Sequence, residues 1–359
     1  MGWLRFLLAF SVMWTHADLP HGFSGDLCVT VFFAISGFYM ALILEENSSY
    51  KSIKTFYIQR ILRIFPTYLF VLFLAIIFIG IQILNGDQLI YSRYLSELAH
   101  PVTVTIFWIA SQLFILGQDA ICFFGIDQFG KIIFEPSLTL ASSSFSQTNI
   151  IPPAWSLSGE LFFYALAPFV LRRSIVFISS LLLLSVATRL TLANQFDFVS
   201  DPWATRFFPS EFCFFMAGAL GYKLITAKSE IRDGAKYLIY LLLVMVSVSA
   251  LSVTKWTHSN SKFTSFAVLF IVFVLISVIP FLFSKTKNSR IDRQIGEISF
   301  PLYVCHILVF QVGHYFFRKS TMVDLSLVSV TMLFAVTIIY CVDQPINNFR
   351  HSLLATKNN

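Results

Sequence analysis

The feature that most restricts the fold of this chain is a series of long apolar runs separated by short polar stretches. Most runs approach the roughly 20 residues that a helix needs to cross the hydrocarbon core of a bilayer. They are continuous rather than alternating, which favours helices over a β-barrel. The sequence therefore predicts an all-α, polytopic integral membrane protein. Eleven runs lie within the 359 residues, at about 3–17, 26–44, 58–84, 102–124, 156–171, 174–192, 205–222, 237–254, 263–284, 297–317 and 324–342.

Composition and charge agree with this prediction. Hydrophobic residues make up 57% of the chain and charged residues 12%, whereas a typical soluble domain carries about 25% charged residues. The net charge of +6 agrees with basic cytoplasmic loops, which are common in membrane proteins. The sequence contains no basic tract interleaved with aromatic residues, which would indicate nucleic-acid binding. The five cysteines form no CxxC pair, so we expect neither a disulfide framework nor a metal site. The expected surroundings are membrane lipid, without nucleic acid.

Basic residues predict the orientation of the runs, because cytoplasmic loops collect Lys and Arg. Four clusters of them lie at 51–63, 172–173, 223–236 and 285–293. Placing all four clusters inside, together with the basic residues near the C-terminus, predicts that both termini are cytoplasmic. The first apolar run is expected to stay in the protein as a helix rather than to be cleaved as a signal peptide.

The run 102–124 does not fit a simple crossing. With the basic clusters inside, the stretches before and after it are both outside, so it cannot cross the membrane once. Its polar side chains need protein or water rather than lipid, which favours re-entry into the outer leaflet over a position along the surface. We therefore predict about ten transmembrane helices and one re-entrant segment in a domain of residues 1–345. A short cytoplasmic tail is expected at 346–359.

Two ionisable residues on the first predicted helix are candidates for function, because charge inside a membrane is costly. Arg5 and His16 are eleven residues apart, about 16 Å along a helix and close to three turns. They should therefore point to roughly the same side, with Arg5 near the cytoplasmic face and His16 near the outer face. One helix could hold a cationic anchor and a titratable base. An Arg that only marks topology and an interfacial His are the alternatives.

A second candidate pair begins the third predicted helix. Arg60 and Arg63 are three residues apart and share a helix face at its cytoplasmic end. Arg binds phosphate bidentately and keeps its charge when partly buried, so the pair suggests a phosphorylated ligand. Topology signalling is the alternative. In the preceding run, Ser36 and Gly37 permit close backbone approach, and packing is favoured over direct chemistry for Ser36.

A third candidate follows Pro152 and Pro153, in the stretch Trp155-Ser-Leu-Ser158-Gly-Glu160. Ser156 or Ser158 could cap the helix that starts here. Glu160 would then lie in the first turn, where the helix dipole favours a carboxylate. A role at the N-terminus of the helix is thus one interpretation. The other is that Glu160, at the same membrane level as His16, orients this base.

Two further polar positions are weaker candidates. His306 should lie near the middle of the membrane, where a histidine is costly unless it lies on a polar path. Glu211 is similarly placed but closer to the outer side. Arg206, five residues earlier, is the predicted partner of Glu211.

In this order, the motifs resemble those of the membrane-bound acyltransferase family 3. The late Asp343-Gln-Pro345 is also similar to the acidic-x-Pro that ends the family's domain. Thr30 is a departure, because many members have an acidic residue there. The matching stretches are Arg5 with ten residues before His16, Val31-Phe-Phe-Ala-Ile-Ser-Gly-Phe38, Arg60-x-x-Arg63 with Pro66, Trp155-Ser-Leu-Ser158-x-Glu160, and Ser299-x-Pro-Leu-Tyr303-x-x-His306.

The resemblance implies a bacterial inner-membrane enzyme that takes an acyl group, most commonly acetyl from acetyl-CoA, to a hydroxyl of a saccharide. Acceptors of such enzymes include O-antigen, exopolysaccharide and other envelope glycans, free or linked to lipid. No permanently bound cofactor is expected. By the resemblance, the catalytic residues are His16 and Glu160, the donor-binding residues are Arg5, Arg60 and Arg63, and the supporting residues are Ser36, Trp155, Ser158, Tyr303 and His306.

A transporter or flippase for a lipid-linked saccharide is the alternative from another functional class. Arg, His and Glu inside the membrane would also suit a translocation path. Transporters of this kind are often built from two similar halves with interrupted helices, and the sequence contains no such repeat. Binding or hydrolysis of acyl-CoA would separate the two functions.

Overall fold

Helices make up most of this chain in a computed structural model, which describes residues 1–17, 19–20, 24–46, 52–95, 101–126, 131–134, 145–227 and 261–355. The predicted run 237–254 lies outside the described residues. The helices are α1 Gly2–His16, α2 Gly25–Glu46, α3 Ile53–Leu84, α4 Gln88–Leu95, α5 Val102–Phe114, α6 Ala154–Val170, α7 Ile175–Phe196, α8 Phe208–Ala227, α9 Ser261–Thr286, α10 Arg290–Phe316, α11 Thr321–Ile338 and α12 Gln344–Ala355.

Length and hydropathy identify the helices that could cross a membrane. Within the described ranges, five are long and apolar enough: Gly25–Glu46, Ile53–Leu84, Ile175–Phe196, Arg290–Phe316 and Thr321–Arg350. The predicted all-α membrane fold is thus confirmed in outline, whereas the number of about ten crossings stays a prediction. Helix α1 has 15 residues and is about 22 Å long, which is shorter than the roughly 30 Å hydrocarbon core.

The predicted re-entrant run 102–124 is divided in the structure. Helix α5 has 13 residues and ends before Ile115, whose φ of 67° and that of Gly117 at 87° turn the chain back. A short 3₁₀ helix, Ala120–Phe123, leads into strand β1, Phe124–Ile126, which pairs antiparallel with β2, Ile132–Phe134. This division excludes a single helical crossing, and the path of the run relative to lipid stays a prediction.

Close backbone contact between α2 and α8 forms the centre of the bundle. A Cβ atom on Gly37 would overlap the carbonyl oxygen of Phe215, so the two helices touch at a distance that only glycine permits. Beside this contact, the ring of Phe215 stacks between Phe33 at 4.5 Å and Phe163 at 4.3 Å. Helices α2, α6 and α8 are thereby fixed to one another, which sets the position of Ser36 relative to α6.

Helix α1 is attached to the start of α10 by a carboxylate. Asp292 accepts hydrogen bonds from the backbone N–H of Gly2 at 2.7 Å and of Trp3 at 3.0 Å. It satisfies donors that the first turn of a helix leaves without intrahelical partners. The contact keeps α1 and α10 side by side, so that Arg5 lies near one end of this pair and His16 near the other.

The predicted partner of Glu211 is wrong. Its carboxylate accepts from Nη1 of Arg189 on α7 at 2.5 Å, and both side chains are buried. Arg206 instead donates to both carboxylate oxygens of Asp201, at 2.9 and 2.8 Å. Sequence proximity favoured Arg206, but the antiparallel packing of α7 on α8 brings Arg189 opposite Glu211.

The predicted boundary at residue 345 falls inside a helix. Five residues of π-helix, Ile339–Asp343, follow α11, and α12 continues from them to Ala355. Pro345 lies in the first turn of α12, where its missing N–H would have no intrahelical partner. Asp343 accepts a hydrogen bond from Thr67 of α3. The expected tail is therefore helical as far as Ala355 and is attached to the bundle.

Candidate active site

A cavity of about 610 Å³ lies between the helices, and we call it the central cavity. Side chains of α1, α2, α3, α6, α9, α10 and α12 line it. Of the ten site residues predicted from the sequence, six belong to the lining. These six are Arg5, Ser36, Arg60, Arg63, Glu160 and Tyr303.

Cationic side chains outnumber carboxylates around the central cavity. Six lining side chains are cationic and three are carboxylates, so the cavity fits an anionic ligand. In the part of the chain that the structure describes, no group of three His, Cys, Asp or Glu side chains could hold a metal ion. The cations are Arg5, Arg60, Arg63, Lys287, Arg293 and Arg350, and the carboxylates are Glu160, Asp292 and Glu297.

The predicted arginines lie at one end of the cavity, which we call the arginine end. The Arg60 side chain is buried, and its Nε has no hydrogen-bond partner among the described residues. Its guanidinium carbon lies 5.8 Å from the ring centroid of Tyr164, and that of Arg63 lies 5.9 Å from the ring of Phe300. Aromatic faces thus support both guanidinium groups from the side. Arg5 and Arg60 both lie within electrostatic range of Arg63.

Glu160 lies in the second turn of α6, not in the first turn where the sequence placed it. No acidic residue occupies the first turn of this helix, so the interpretation of Glu160 as a partner of the helix dipole is wrong. Ser36 donates to Glu160 Oε1 at 2.5 Å, and the hydroxyl of Tyr164 donates to the same oxygen. Ser36 therefore has a polar contact on the cavity wall in addition to its place in helix packing.

The two serines of the same motif do not cap α6 either. Pro153 is at the N-cap, without a side-chain hydrogen bond. Ser156 lies 2.7 Å from the hydroxyl of Tyr303 at the cavity wall. Ser158 donates to Asp119 Oδ1 at 2.7 Å and accepts from the backbone N–H of Gly117 at 2.9 Å. Ser158 thus attaches the loop after α5 to α6.

The two predicted histidines are in contact. Nε2 of His306 lies 3.3 Å from Nδ1 of His16, and the ring centroids are 5.0 Å apart. His306 is fully buried, whereas His16 is exposed. The neighbour of the His16 ring is therefore His306, while the hydrogen bonds of Glu160 go to Ser36 and Tyr164. We call the end of the bundle with these two rings the histidine end.

Two backbone carbonyl groups indicate which ring nitrogen of each histidine carries the proton. Nδ1 of His16 lies 2.9 Å from the carbonyl oxygen of Val12, and Nδ1 of His306 lies 2.8 Å from that of Tyr303. A carbonyl oxygen accepts only, so each neutral ring carries its proton on Nδ1. The Nδ1–H of His16 is then shared between the carbonyl oxygen of Val12 at 2.9 Å and Nε2 of His306 at 3.3 Å. Nε2 of His16 keeps a lone pair, as a general base requires.

Trp155 supports a charged group rather than the cavity wall. The Arg206 guanidinium carbon lies 4.7 Å from the ring centroid of Trp155, which is within the range of a cation–π contact. Nη1 of Arg206 also donates to Sγ of Cys122 at 3.3 Å. Together with the pair to Asp201, these contacts join α6 to the segments before α8 and after α5.

The sequence analysis did not identify several lining residues, among them Tyr164, Lys287, Arg293 and Arg350. Tyr164 is four residues after Glu160, a spacing that places both on one helix face, so this partner could have been found. Lys287 and Arg293 were assigned to a cytoplasmic loop, and that position gives no indication of a cavity. Arg350 was placed in a tail, so nothing pointed to it.

Comparison with known proteins gives one family match. A family model described as an acyltransferase domain, that of the acyltransferase 3 family, matches residues 1–342. A protein of Aquifex aeolicus (strain VF5), described as an uncharacterized protein, is 21% identical over 217 residues, which are 60% of this chain and 94% of that protein. No solved structure matches the chain.

Proposed function

Because the chain belongs to the acyltransferase 3 family, we propose that it transfers an acyl group from acyl-CoA to a hydroxyl of a cell-envelope saccharide. Acetyl-CoA is the donor that we propose first. The observation that carries the proposal is the central cavity, whose lining runs from the arginine end to Tyr303, one helical turn from His306. A donor with an anionic nucleotide and a long uncharged arm matches a lining that combines arginines with apolar side chains such as Phe32 and Leu157.

The arginine end is the proposed site for the nucleotide of the donor. Arg5, Arg60 and Arg63 carry permanent positive charges around one part of the cavity. Guanidinium groups bind phosphate with two parallel hydrogen bonds and are weakly hydrated, which suits a partly buried site. Nε of Arg60 has no partner within the described ranges of the chain, so a phosphate oxygen could accept from it.

The histidine pair is the proposed site of chemistry. Nε2 of His16 takes the proton of the acceptor hydroxyl, whose oxygen attacks the thioester carbonyl carbon. The C–S bond breaks as the new C–O ester bond forms, and the departing thiolate of CoA receives the proton from His16. Throughout the step, Nε2 of His306 accepts from Nδ1–H of His16 and stabilises the transient imidazolium.

Glu160 has a different proposed role from the one expected from the sequence. Its carboxylate lies in the cavity wall between the two ends, fixed by the hydroxyls of Ser36 and Tyr164. The arm of CoA contains amide N–H groups, which are hydrogen-bond donors. We assign Glu160 to holding this arm in place, so that the thioester reaches the histidine end.

The proposed location is the bacterial cytoplasmic membrane, with the arginine end and both termini on the cytoplasmic side. Acyl-CoA is a cytoplasmic metabolite, and the basic loops favour this orientation. The acceptor would then approach His16, which is exposed, from the outer side. Envelope saccharides, free or linked to lipid, are present on that side and are the proposed acceptors.

A CoA-release assay tests the proposal. Purified, detergent-solubilised protein is mixed with acetyl-CoA, and free thiol is measured with and without candidate saccharides. We expect release by the wild type and none above background by His16→Ala. Equal release by both proteins would refute the role of His16. Binding of acetyl-CoA without any release would favour a carrier over an enzyme.

A further inference from the structure

Helix α12 extends the wall of the central cavity beyond the part of the chain that the family model matches. The match ends at residue 342, whereas α12 covers Gln344–Ala355. Asn347 and Arg350 of this helix both line the cavity. The C-terminal helix therefore adds another cation, Arg350, to the cavity that the three predicted arginines line.

Two contacts hold α12 against α3. Thr67 bonds to Asp343 just before α12, and Gln59 bonds to Arg350 within it. Gln59 and Thr67 are eight residues apart on α3, about 12 Å, and their partners Arg350 and Asp343 are seven residues apart, about 10 Å. These similar spacings run in opposite chain directions, so α12 lies antiparallel along the first turns of α3. Arg350 is thereby brought to the level of Arg60.

The contact between Gln59 and Arg350 is reciprocal. Nε of Arg350 donates to Oε1 of Gln59 at 3.0 Å, and Nε2 of Gln59 donates to the backbone carbonyl of Arg350 at 3.3 Å. Gln59 is 1% exposed and precedes Arg60 directly. Nη1 of Arg350 also donates to Oδ1 of Asn347 at 2.7 Å. A guanidinium held in this way has lost most of its rotamer freedom before any ligand arrives.

A second observation points to an anionic ligand at this place. Arg60 is only 9% exposed, and its Nε has no hydrogen-bond partner in the part of the chain that the structure describes. Burying a donor without a partner is unfavourable, and so is bringing several cations around one cavity. A bound phosphate would remove both penalties.

We propose that Arg350 binds a phosphate group of the donor nucleotide together with Arg60 and Arg63, and that Gln59 is a positioning residue for Arg350. This inference rests on the proposed function, because it assumes an acyl-CoA donor. It assigns a binding role to a residue outside the family-matched region. Arg350 increases affinity for the donor and leaves the chemical step at His16 unchanged.

The experiment measures CoA binding by titration calorimetry on the purified, full-length protein in detergent. The variants are Arg350→Gln, which removes the charge, and Arg350→Lys, which keeps the charge without the planar guanidinium. Arg290→Gln is the matched control, because Arg290 is an exposed arginine at the start of α10 that does not line the cavity. We expect the dissociation constant to rise about ten- to a hundred-fold in Arg350→Gln, less in Arg350→Lys and not in Arg290→Gln.

A truncated donor separates phosphate binding from a structural role. S-Acetylpantetheine carries the thioester and the arm but no nucleotide phosphates. If Arg350 contacts phosphate, Arg350→Gln raises the KM for acetyl-CoA but leaves the KM for S-acetylpantetheine unchanged, and kcat stays the same with both. An equal loss with both donors would mean that the substitution disturbs the cavity, and it would overturn the inference.

Gln59→Leu tests the positioning role. We expect a few-fold weaker binding of CoA in the wild-type background and no further loss in the Arg350→Gln background. Additive losses would overturn the role of Gln59. Wild-type binding of CoA with no change in Arg350→Gln would refute this inference alone, whereas no binding by the wild type would refute the proposed function and the inference together.

Discussion

Nε2 of His306 lies 3.3 Å from Nδ1 of His16, and this contact joins the first helix of the chain to α10 at the histidine end. The carbonyl oxygens of Val12 and Tyr303 fix both rings in the tautomer that leaves Nε2 of His16 able to accept a proton. His306 is therefore a positioning residue for the proposed base. Its full burial explains why it acts through His16 rather than on a substrate from outside.

The first prediction concerns this positioning role. His306→Leu removes one of the two acceptors for Nδ1–H of His16 and leaves the carbonyl oxygen of Val12, and we expect kcat to fall about tenfold with little change in the KM for acetyl-CoA. His306→Gln keeps an amide oxygen near the position of Nε2 and should recover part of the activity. Steady-state CoA release measures both variants. Equal activities of the Leu and Gln variants would contradict the role of the hydrogen bond.

The second prediction concerns Arg60 at the arginine end. Arg60→Gln should raise the KM for acetyl-CoA about tenfold or more, because a charge-assisted hydrogen bond contributes roughly 1.5–3 kcal/mol. Arg60→Lys should lie between the wild type and the Gln variant. The KM of Arg290→Gln for acetyl-CoA provides the control for a general loss of positive charge. An unchanged KM in Arg60→Gln would remove Arg60 from the donor site.

The third prediction concerns the hydroxyl groups around Glu160. Tyr164→Phe leaves the carboxylate with Ser36 as its remaining hydroxyl donor, so the free energy of unfolding should fall by about 1 kcal/mol. Glu160→Gln keeps the shape of the side chain but removes its charge. We expect a higher KM for acetyl-CoA and a normal elution profile in size-exclusion chromatography. Thermal unfolding in detergent and CoA release measure the two effects. If Glu160→Gln matches the wild type in both, the carboxylate has no role in donor binding.

The fourth prediction concerns stability away from the cavity. Glu211→Gln breaks the buried ion pair with Arg189, and leaving one buried charge uncompensated costs about 3–5 kcal/mol. Replacing both residues in Arg189→Met/Glu211→Leu should restore much of the loss, because no buried charge remains. Thermal unfolding measures the series. A double variant as unstable as the single one would mean that the pair does more than neutralise charge.

Part of this fold and site could be predicted from the sequence. The apolar runs predict helices because a bilayer permits few other structures, and the arginines of the motifs stood out because charge is rare within such runs. Arg5, Arg60 and Arg63 all line the central cavity, and the sequence had placed each of them near the cytoplasmic end of its helix. The pairing of His16 with His306 was not predicted, because contacts between residues 290 positions apart depend on how the helices pack.

The errors have two physical causes. Glu160 was placed in a first turn because Ser156 or Ser158 was expected to cap the helix, whereas α6 begins directly after Pro153. Glu211 was paired with the nearest arginine in sequence, although the partner is on the neighbouring helix. Arg350 was placed in a tail because polar residues follow the last apolar run. For Glu160 the start of the helix was misplaced, whereas for Glu211 and Arg350 the tertiary position decided the role.

The short first helix has a consequence for the energetics of transfer across a membrane. Its 15 residues separate the arginine end from the histidine end by about 16 Å between Arg5 and His16, roughly half the thickness of a hydrocarbon core. Under the proposed function, only the neutral arm and its acyl group traverse this distance, while the polyanionic nucleotide stays in water on its own side. The cell can then modify a product outside with an activated group made inside, without moving a multiply charged molecule through lipid.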